Sequence, residues 1–182
     1  ASPELVNGEI AKTQILFDGI YNHSEVWING HSLGYRPFGY VAFFYDLTPF
    51  LNTDGSDNVI AVHVDRSRYV DSRWYTGSGI YRNVKLVITG QVHVPIWGST
   101  ILTPEVTSER AKVLISTEIR NDSTQVRVLN VSTTLLDGSG LNVGRDMKRL
   151  EIAARSTELL RQEVIVTNPQ LWDIDNPNLY FA

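Results

Sequence analysis

Residues 72–84 read Ser-Arg-Trp-Tyr-Thr-Gly-Ser-Gly-Ile-Tyr-Arg-Asn-Val, and they join two segments whose patterns predict strands. Gly77 and Gly79 allow the backbone to reach positive φ or to approach a neighbour closely. The guanidinium of Arg73 can donate several hydrogen bonds in one plane, and Trp74 and Tyr75 each provide a flat ring with a polar group at its edge. Such a stretch suits a turn with buried aromatics, a seam between domains, or the binding of a polyhydroxylated ligand.

The segments before this stretch predict short strands separated by tight turns. Asn29-Gly30 predicts a type I′ hairpin between residues 25–28 and 31–35, since both residues tolerate positive φ. Pro49 suits the first turn of a short helix within residues 46–51. The remaining strands are predicted at residues 13–17, 40–45, 59–65 and 84–88.

The second half of the chain predicts a β-sandwich of about seven strands, because strand patterns recur at roughly ten-residue spacing. A boundary is expected near Gly90. Apolar residues alternate with polar ones along two of the strands, so that one face collects Val113, Ile115, Thr117 and Ile119 and another collects Leu129, Val131, Thr133 and Leu135. The strands are predicted at residues 112–121, 125–137, 149–154 and 158–166, with a turn at 137–140.

Composition excludes several classes of function. The 182 residues include 16 basic and 20 acidic side chains, and the formal net charge of −4 argues against nucleic acid as a partner. No apolar run approaches the ~20 residues that span a bilayer. Cysteine is absent, which excludes disulfides and thiolate chemistry but does not decide between bacterial cytoplasm and periplasm. The sequence contains no phosphate loop, no G-x-S-x-G elbow and no H-E-x-x-H motif.

Specific strings in the chain resemble the non-catalytic domains of family 2 glycoside hydrolases, in the family's own order. They are L-F-D-G-I-Y at 16–21, V-W-I-N-G-H at 26–31, G-Y at 39–40, D-L-T at 46–48, N-V-I-A-V at 58–62, R-W-Y-T-G-S-G-I-Y-R-N-V at 73–84, P-Q-L-W at 169–172 and P-N-L-Y at 177–180. The resemblance covers essentially the whole chain and is strongest to β-galactosidases, with β-glucuronidases and β-mannosidases as neighbours.

The resemblance implies an all-β chain of two domains. Residues 1–90 are expected to form the C-terminal part of a galactose-binding-like jelly roll, the sugar-binding domain of the family. Residues 91–182 are expected to form an immunoglobulin-like β-sandwich. A jelly roll that lacks its first strands would leave sheet edges and apolar surface open.

The resemblance also implies how the chain serves a larger enzyme. The two catalytic glutamates of this retaining family lie on a (β/α)₈ barrel that is not in these residues, so no catalytic residue is expected here and the fragment is predicted to be inactive. The loop before the G-I-Y-R string points to Asp71 as a substrate contact, with Arg73 and Trp74 either beside the substrate or bracing the domain against the barrel. No metal ligand and no cofactor are assigned to this fragment. The implied partners are the catalytic barrel and a carbohydrate, and a homo-oligomer is left open.

A second hypothesis from a different class is a free-standing carbohydrate-binding or adhesion module. Jelly rolls and β-sandwiches host both kinds of function, so the fold does not choose between them. The reading frame beyond codon 182 separates the two.

Overall fold

The computed structural model describes residues 5–6, 9–67 and 76–182. These residues form sixteen strands and one 3₁₀ turn, and the described part of the chain contains no α-helix. The all-β class predicted from the sequence is therefore confirmed. No helix among the described residues has the length and apolar character to cross a membrane. The chain divides into two compact units, residues 1–91 and 92–182.

The first unit is built from short antiparallel strands. The strands are β1 Leu5–Val6, β2 Glu9–Ile10, β3 Lys12–Phe17, β4 Ile20–Tyr21, β5 Ser24–Ile28, β6 His31–Arg36, β7 Phe43–Asp46, β8 Ile60–Val64, β9 Gly79–Ile80 and β10 Val84–Thr89, and the 3₁₀ turn is Thr48–Phe50. They form two three-stranded sheets, in the orders β10-β3-β7 and β6-β5-β8, and the pairs β1-β2 and β4-β9.

The core of the first unit lies between its two three-stranded sheets. Phe17 on β3 stacks on Phe43 on β7 with ring centroids 5.3 Å apart. Burying an aromatic side chain stabilises a fold by several kcal/mol, so this pair is a major contribution to a small core. The buried members of the core are Ile15, Phe17, Ile20, Val26, Ile28, Phe43 and Leu47.

One side of this sandwich is open. On the edge strand β10, Val84 and Leu86 pair with Phe17 and Ile15, so their side chains share the face that carries the core. They are nevertheless 44% and 57% exposed, and Ile88 on the same strand is 37% exposed. The apolar surface expected to be open in the first unit is therefore present along β10.

The hairpin at Asn29-Gly30 has the predicted geometry. φ is +49° at Asn29 and +81° at Gly30, the pattern of a type I′ turn. The Asn29 amide donates to the Phe50 carbonyl and to Asn58 Oδ1, both at 2.8 Å, and its oxygen accepts from the Val59 backbone. These bonds join the turn to the loop before β8, so one residue terminates one hairpin and positions the next strand.

The strand predicted at residues 40–45 begins at Phe43 instead. The prediction at residues 40–42 was wrong because the ring of Tyr40 packs against that of Tyr21 outside both three-stranded sheets. Apolar and aromatic composition alone does not distinguish a strand from such a packed loop.

The second unit is a sandwich of five long strands and one strand of two residues. The strands are β11 Val92–His93, β12 Ser99–Val106, β13 Arg110–Asn121, β14 Arg127–Leu136, β15 Asn142–Ile152 and β16 Ser156–Thr167. In one sheet β16 pairs with the whole length of β13, while β11 and β12 share the other edge of β13. The second sheet is the pair β14-β15, and Phe181 adds a single bridge to Leu136.

The predicted alternation in the second unit is confirmed on β13, where the residues at 113, 115, 117 and 119 are all buried. Two details differ from the prediction. The strand Ser99–Val106 was not predicted, because Pro104 lies where its register with β13 shifts and obscures the pattern. The segment predicted at 149–154 is the end of a longer strand that begins at Asn142.

Candidate functional site

The three residues that the sequence singles out for substrate contact lie outside the described residues. Asp71, Arg73 and Trp74 belong to the stretch 68–75, about which the structure says nothing. Their roles remain predictions. The described residues that follow this stretch in the chain, 76–81, line a hollow in the first unit, which is the candidate site.

A short bridge between two strands positions the hollow. Tyr21 on β4 pairs with Gly79 on β9, where φ is +121°. Glycine is favoured at this position because other side chains rarely adopt such a backbone conformation. The Tyr81 backbone N–H then donates to the Gly19 carbonyl at 3.4 Å, so the turn before β4 also holds this segment.

Three tyrosines form the wall of the hollow, and we call Tyr21, Tyr40 and Tyr81 the tyrosine cluster. The ring centroids of Tyr21 and Tyr40 are 5.3 Å apart, and those of Tyr40 and Tyr81 are 6.5 Å apart with their planes at 70°. Phe38 lies at the margin, with its centroid 5.7 Å from that of Tyr40 in an edge-on arrangement. Edge-on and tilted pairs are the favoured aromatic geometries, so the rings hold one another in place.

Two buried glycines make room for the cluster. A Cβ built on Gly39 would meet Tyr21 Cδ2 at 2.5 Å, and one built on Gly19 would meet the Tyr81 ring at 2.7 Å. The Tyr81 hydroxyl donates to the Gly39 carbonyl at 2.8 Å. The rings of Tyr21 and Tyr81 therefore lie directly on glycine backbone, which leaves these two rings little freedom to move.

The hollow has a volume of about 230 Å³ and is lined by Tyr21, Tyr40 and residues 76–81. Tyr40 is 58% exposed and Tyr81 is 49% exposed, so ring faces are available to a ligand. Among the described residues, the lining adds the hydroxyls of Thr76 and Ser78 and includes no acidic or basic side chain. These described side chains can stack against a molecule and hydrogen-bond to it, and none of them is a general acid or base for ordinary pH.

The surroundings of Tyr40 favour its neutral form. The pKa of Tyr40 is raised above its usual value of 10.0 by loss of hydration first, then by Tyr21 and Tyr81 nearby. Tyr40 therefore remains a protonated phenol, able to donate a hydrogen bond, across the physiological range. The guanidinium of Arg66 lies 5.5 Å from the centroid of the Tyr21 ring, a favourable cation–π distance.

The second unit contains a hollow of a different character. Its volume is about 260 Å³, and apolar side chains from both sheets and from the C-terminal segment line it, among them Ile101, Leu135, Trp172 and Phe181. No acidic, basic or histidine side chain of the described residues lines it. It is a gap at the end of an apolar core.

Metal binding has no candidate within the described ranges 5–6, 9–67 and 76–182. These ranges contain no group of three or more histidine, cysteine, aspartate or glutamate side chains that could hold an ion. The aspartates with a resolved pKa shift in the same ranges, at 46, 54, 137 and 173, all have a pKa lowered from the usual value. A lowered pKa suits an ionised turn-capping carboxylate and not a general acid.

The sequence indicates one side of this site and not the other. The glycine-rich stretch that supplies residues 76–81 is evident from its composition, whereas no pattern assigns a ligand role to Tyr21 or Tyr40. The only signal for these two was their place in the strings D-G-I-Y and F-G-Y, where a glycine lies close before each tyrosine.

Comparison with known proteins gives a consistent result along the whole chain. Residues 4–90 match the model for the sugar binding domain of glycosyl hydrolases family 2, and residues 93–182 match a second model for glycosyl hydrolases family 2. The beta-galactosidase BoGH2A of Bacteroides ovatus is 45% identical over 167 residues, which are 92% of this chain and 20% of that protein. The chain thus spans about a fifth of the length of this curated relative.

Solved structures of family 2 enzymes resemble this chain over most of its length. The family 2 member from Bacteroides cellulosilyticus superposes with a TM-score of 0.88 at 33% identity, covering 93% of this chain and 23% of that one. The beta-glucuronidase of Bacteroides uniformis gives a TM-score of 0.85 at 28% identity, covering 93% and 21%. The residues described above thus belong to a sugar-binding domain and the domain that follows it, and the chain is a member of the family 2 glycosyl hydrolases.

Proposed function

We propose that this chain is the non-catalytic N-terminal portion of a β-galactosidase-type exo-glycosidase. The observation that carries the proposal is the 45% identity to a beta-galactosidase, over 92% of this chain but only 20% of that enzyme. The complete enzyme would hydrolyse terminal β-galactosides with retention, through a glycosyl-enzyme intermediate formed by one of two carboxylates about 5–5.5 Å apart. In this proposal both carboxylates belong to a (β/α)₈ barrel outside these 182 residues.

The described residues support a non-catalytic role. A retaining glycosidase needs one carboxylic acid whose pKa is raised, so that it can protonate the leaving group. Among the described residues, no acidic side chain lines the hollow of the first unit, and the resolved aspartate shifts all lower the pKa. The two domains would instead hold the barrel and form part of the wall of its sugar pocket.

Asp71, Arg73 and Trp74 are proposed as the residues through which the first domain acts in the complete enzyme. Asp71 would accept hydrogen bonds from hydroxyls of the galactosyl group. Arg73 and Trp74 would lie beside the substrate or pack against the barrel. No cofactor is assigned to these two domains, and the proposed partners are the barrel and the carbohydrate.

Turnover of a chromogenic β-galactoside tests the proposal. The purified 182-residue chain, verified by mass, is expected to show no release of nitrophenol above the buffer rate. The protein encoded by the complete reading frame is expected to hydrolyse the galactoside faster than the corresponding β-glucuronide. Turnover by the isolated chain would refute its non-catalytic role, and preference for the glucuronide would refute the assigned sugar.

A further inference from the structure

We propose that one apolar corner of the second unit is the surface on which the catalytic domain of the complete enzyme docks. The corner consists of the short hairpin at residues 171–178 and the apolar hollow beside it, and we call it the Trp172 corner. The identity of the partner rests on the proposed function. The surface itself rests on the geometry of residues 92–182, and the match to the family model assigns no role to it.

The first argument is that exposed apolar side chains gather around one hollow. Its lining includes five apolar residues that are each between 43% and 60% exposed, namely Ile101, Val106, Leu171, Trp172 and Phe181. In the turn of the hairpin, Ile174 is 88% exposed, the highest value for a large apolar side chain among the described residues. Scattered exposed apolar residues are common, whereas a contiguous group of them marks an interaction site.

The second argument is the order of the hairpin. An antiparallel bridge joins Trp172 to Pro177, and the Asp173 N–H donates to the Asn176 carbonyl at 3.0 Å. The Asp173 carboxylate accepts from the backbone N–H groups of Asp175 and Asn176 at 2.8 and 2.7 Å. Because these bonds already fix the turn, a partner would bury the Trp172 ring with little further loss of backbone freedom.

The third argument is the combination of a projecting ring and a hollow in one place. Protein interfaces are anchored by a few side chains that fill pockets of the partner, and tryptophan is among the most frequent of these anchors. The hollow, of about 260 Å³, has room for an apolar side chain of a partner. The Trp172 corner thus provides both an anchor and a pocket.

The fourth argument concerns the occupant. The chain matches only 20% of the length of its beta-galactosidase relative, so about four-fifths of that relative is additional protein. In the complete enzyme, that additional protein would supply the partner within the same polypeptide, at an effective concentration that a separate molecule seldom reaches. A second copy of this chain is the competing occupant and becomes one of the outcomes of the test.

Hydrogen exchange of backbone amides tests the proposal, measured by mass spectrometry on the 182-residue chain and on the protein encoded by the complete reading frame. Amides at residues 172–179 are expected to exchange about tenfold more slowly, or slower still, in the complete protein, because docking removes the hairpin from water. The turn at residues 153–155 lies at the opposite end of β16 from the corner and should exchange equally in both proteins. Equal exchange of the hairpin in the two proteins would overturn the proposal.

Ile174→Asp provides a second measurement. Since Ile174 is 88% exposed, the substitution should leave the urea midpoint of the 182-residue chain unchanged. In the complete protein it should return the hairpin to the fast exchange of the isolated chain. Val126→Asp is the matched control, because Val126 is 57% exposed in a loop outside the corner, and it should change neither quantity. If both substitutions act alike in the complete protein, the corner is not the docking surface.

Sedimentation velocity of the 182-residue chain addresses the competing occupant. The chain is expected to sediment as a monomer, and a dimer that Ile174→Asp dissociates would assign the corner to a second copy and overturn the proposal. Docking and sugar preference fail separately. A complete protein that protects the hairpin but prefers the glucuronide would sustain the docking surface and refute the proposed sugar, whereas galactoside turnover by a complete protein with an unprotected hairpin would do the reverse.

Discussion

The two units use different means to hold their shape. In the second unit, β13 and β16 pair over twelve residues each, and alternate side chains enter the core. In the first unit, no described strand is longer than six residues, and loops are fastened by individual contacts such as the Asn29 amide and the Tyr81 hydroxyl. Long ladders make a regular scaffold, whereas short strands leave irregular backbone free to present side chains. The candidate site accordingly lies in the first unit.

The two units also differ in the interactions that stabilise their cores. The first core is centred on the stacked Phe17 and Phe43. The second core is aliphatic with a buried amide, Gln162, which is 2% exposed. Its oxygen accepts from Thr133 Oγ1 at 2.7 Å, and its nitrogen donates to the Asp146 carbonyl at 2.9 Å. The first core depends on the packing of large side chains, whereas the second depends partly on hydrogen bonds. Substitutions can distinguish these two sources of stability.

The largest expected effect comes from removing volume in the first unit. Phe17→Ala should lower the free energy of unfolding by about 3–5 kcal/mol, because the side chain is 1% exposed and leaves a cavity beside Phe43. Urea unfolding followed by circular dichroism measures the change. Phe38→Ala, at a 61% exposed position, should stay within about 0.5 kcal/mol. Equal effects of the two substitutions would contradict an aromatic core at Phe17.

The next effect concerns the polar core of the second unit. Gln162→Leu keeps the volume but leaves the Thr133 hydroxyl and the Asp146 carbonyl without this partner, which should cost about 1–3 kcal/mol in unfolding free energy. Adding Thr133→Val to Gln162→Leu should recover part of the loss, because one unpaired group is then removed. If the double variant loses more unfolding free energy than its two single variants together, the hydrogen bond is not the cause.

A smaller effect tests the glycine contacts that order the tyrosine cluster. Gly39→Ala places a Cβ within 2.5 Å of Tyr21 Cδ2 and 3.1 Å of its Cα, so the ring must move, at a cost of about 1–2 kcal/mol. Thermal unfolding and the NMR signals of Tyr21 report the change. Gly77→Ala is the matched control in the same lining, since a Cβ there meets no atom of the described residues within 4 Å. If the NMR signals of the Tyr21 ring shift equally in both variants, the contact between Gly39 and Tyr21 is disproved.

The smallest effect is a pH dependence at Asp46. Burial raises the pKa of Asp46, but the Lys12 ammonium and the side chain and backbone of Thr48 outweigh burial and lower it below 3.8. The Asp46 carboxylate lies 2.7 Å from Lys12 Nζ and accepts from the Thr48 N–H at 3.0 Å. A lowered folded-state pKa means that this stabilisation is present above pH 3.8 and is lost as the pH falls through the folded value.

Asp46→Asn should therefore flatten the acid limb of the stability curve and lower the stability at pH 7 by less than about 1 kcal/mol, because the pair is partly exposed. Urea midpoints measured between pH 7 and pH 2.5 provide the test. The exposed Glu158→Gln should leave the curve unchanged. If the stability of Asp46→Asn still falls as steeply as that of the unsubstituted chain when the pH is lowered, the Asp46 carboxylate is not the source of this pH dependence.

Local rules account for much of the fold. The Asn29-Gly30 turn follows from residues that tolerate positive φ, and the buried face of β13 follows from strict alternation. The start of β7 and the whole of β12 did not follow from local rules. At β7 the packing of Tyr40 on Tyr21 outweighs strand propensity, and in β12 Pro104 interrupts a pattern that pairing with β13 nevertheless sustains.

The sequence by itself determined the all-β class and the motifs of the family, because these depend on neighbouring residues in the chain. The substrate contact in the stretch before the G-I-Y-R string stays a prediction. Only the tertiary structure showed that Tyr21 and Tyr40, nineteen positions apart, meet Tyr81 around one hollow. The physical reason is that ring-on-backbone packing at Gly19 and Gly39 joins segments distant in sequence. No periodicity along the chain encodes that contact, because it depends on the space left by two absent side chains.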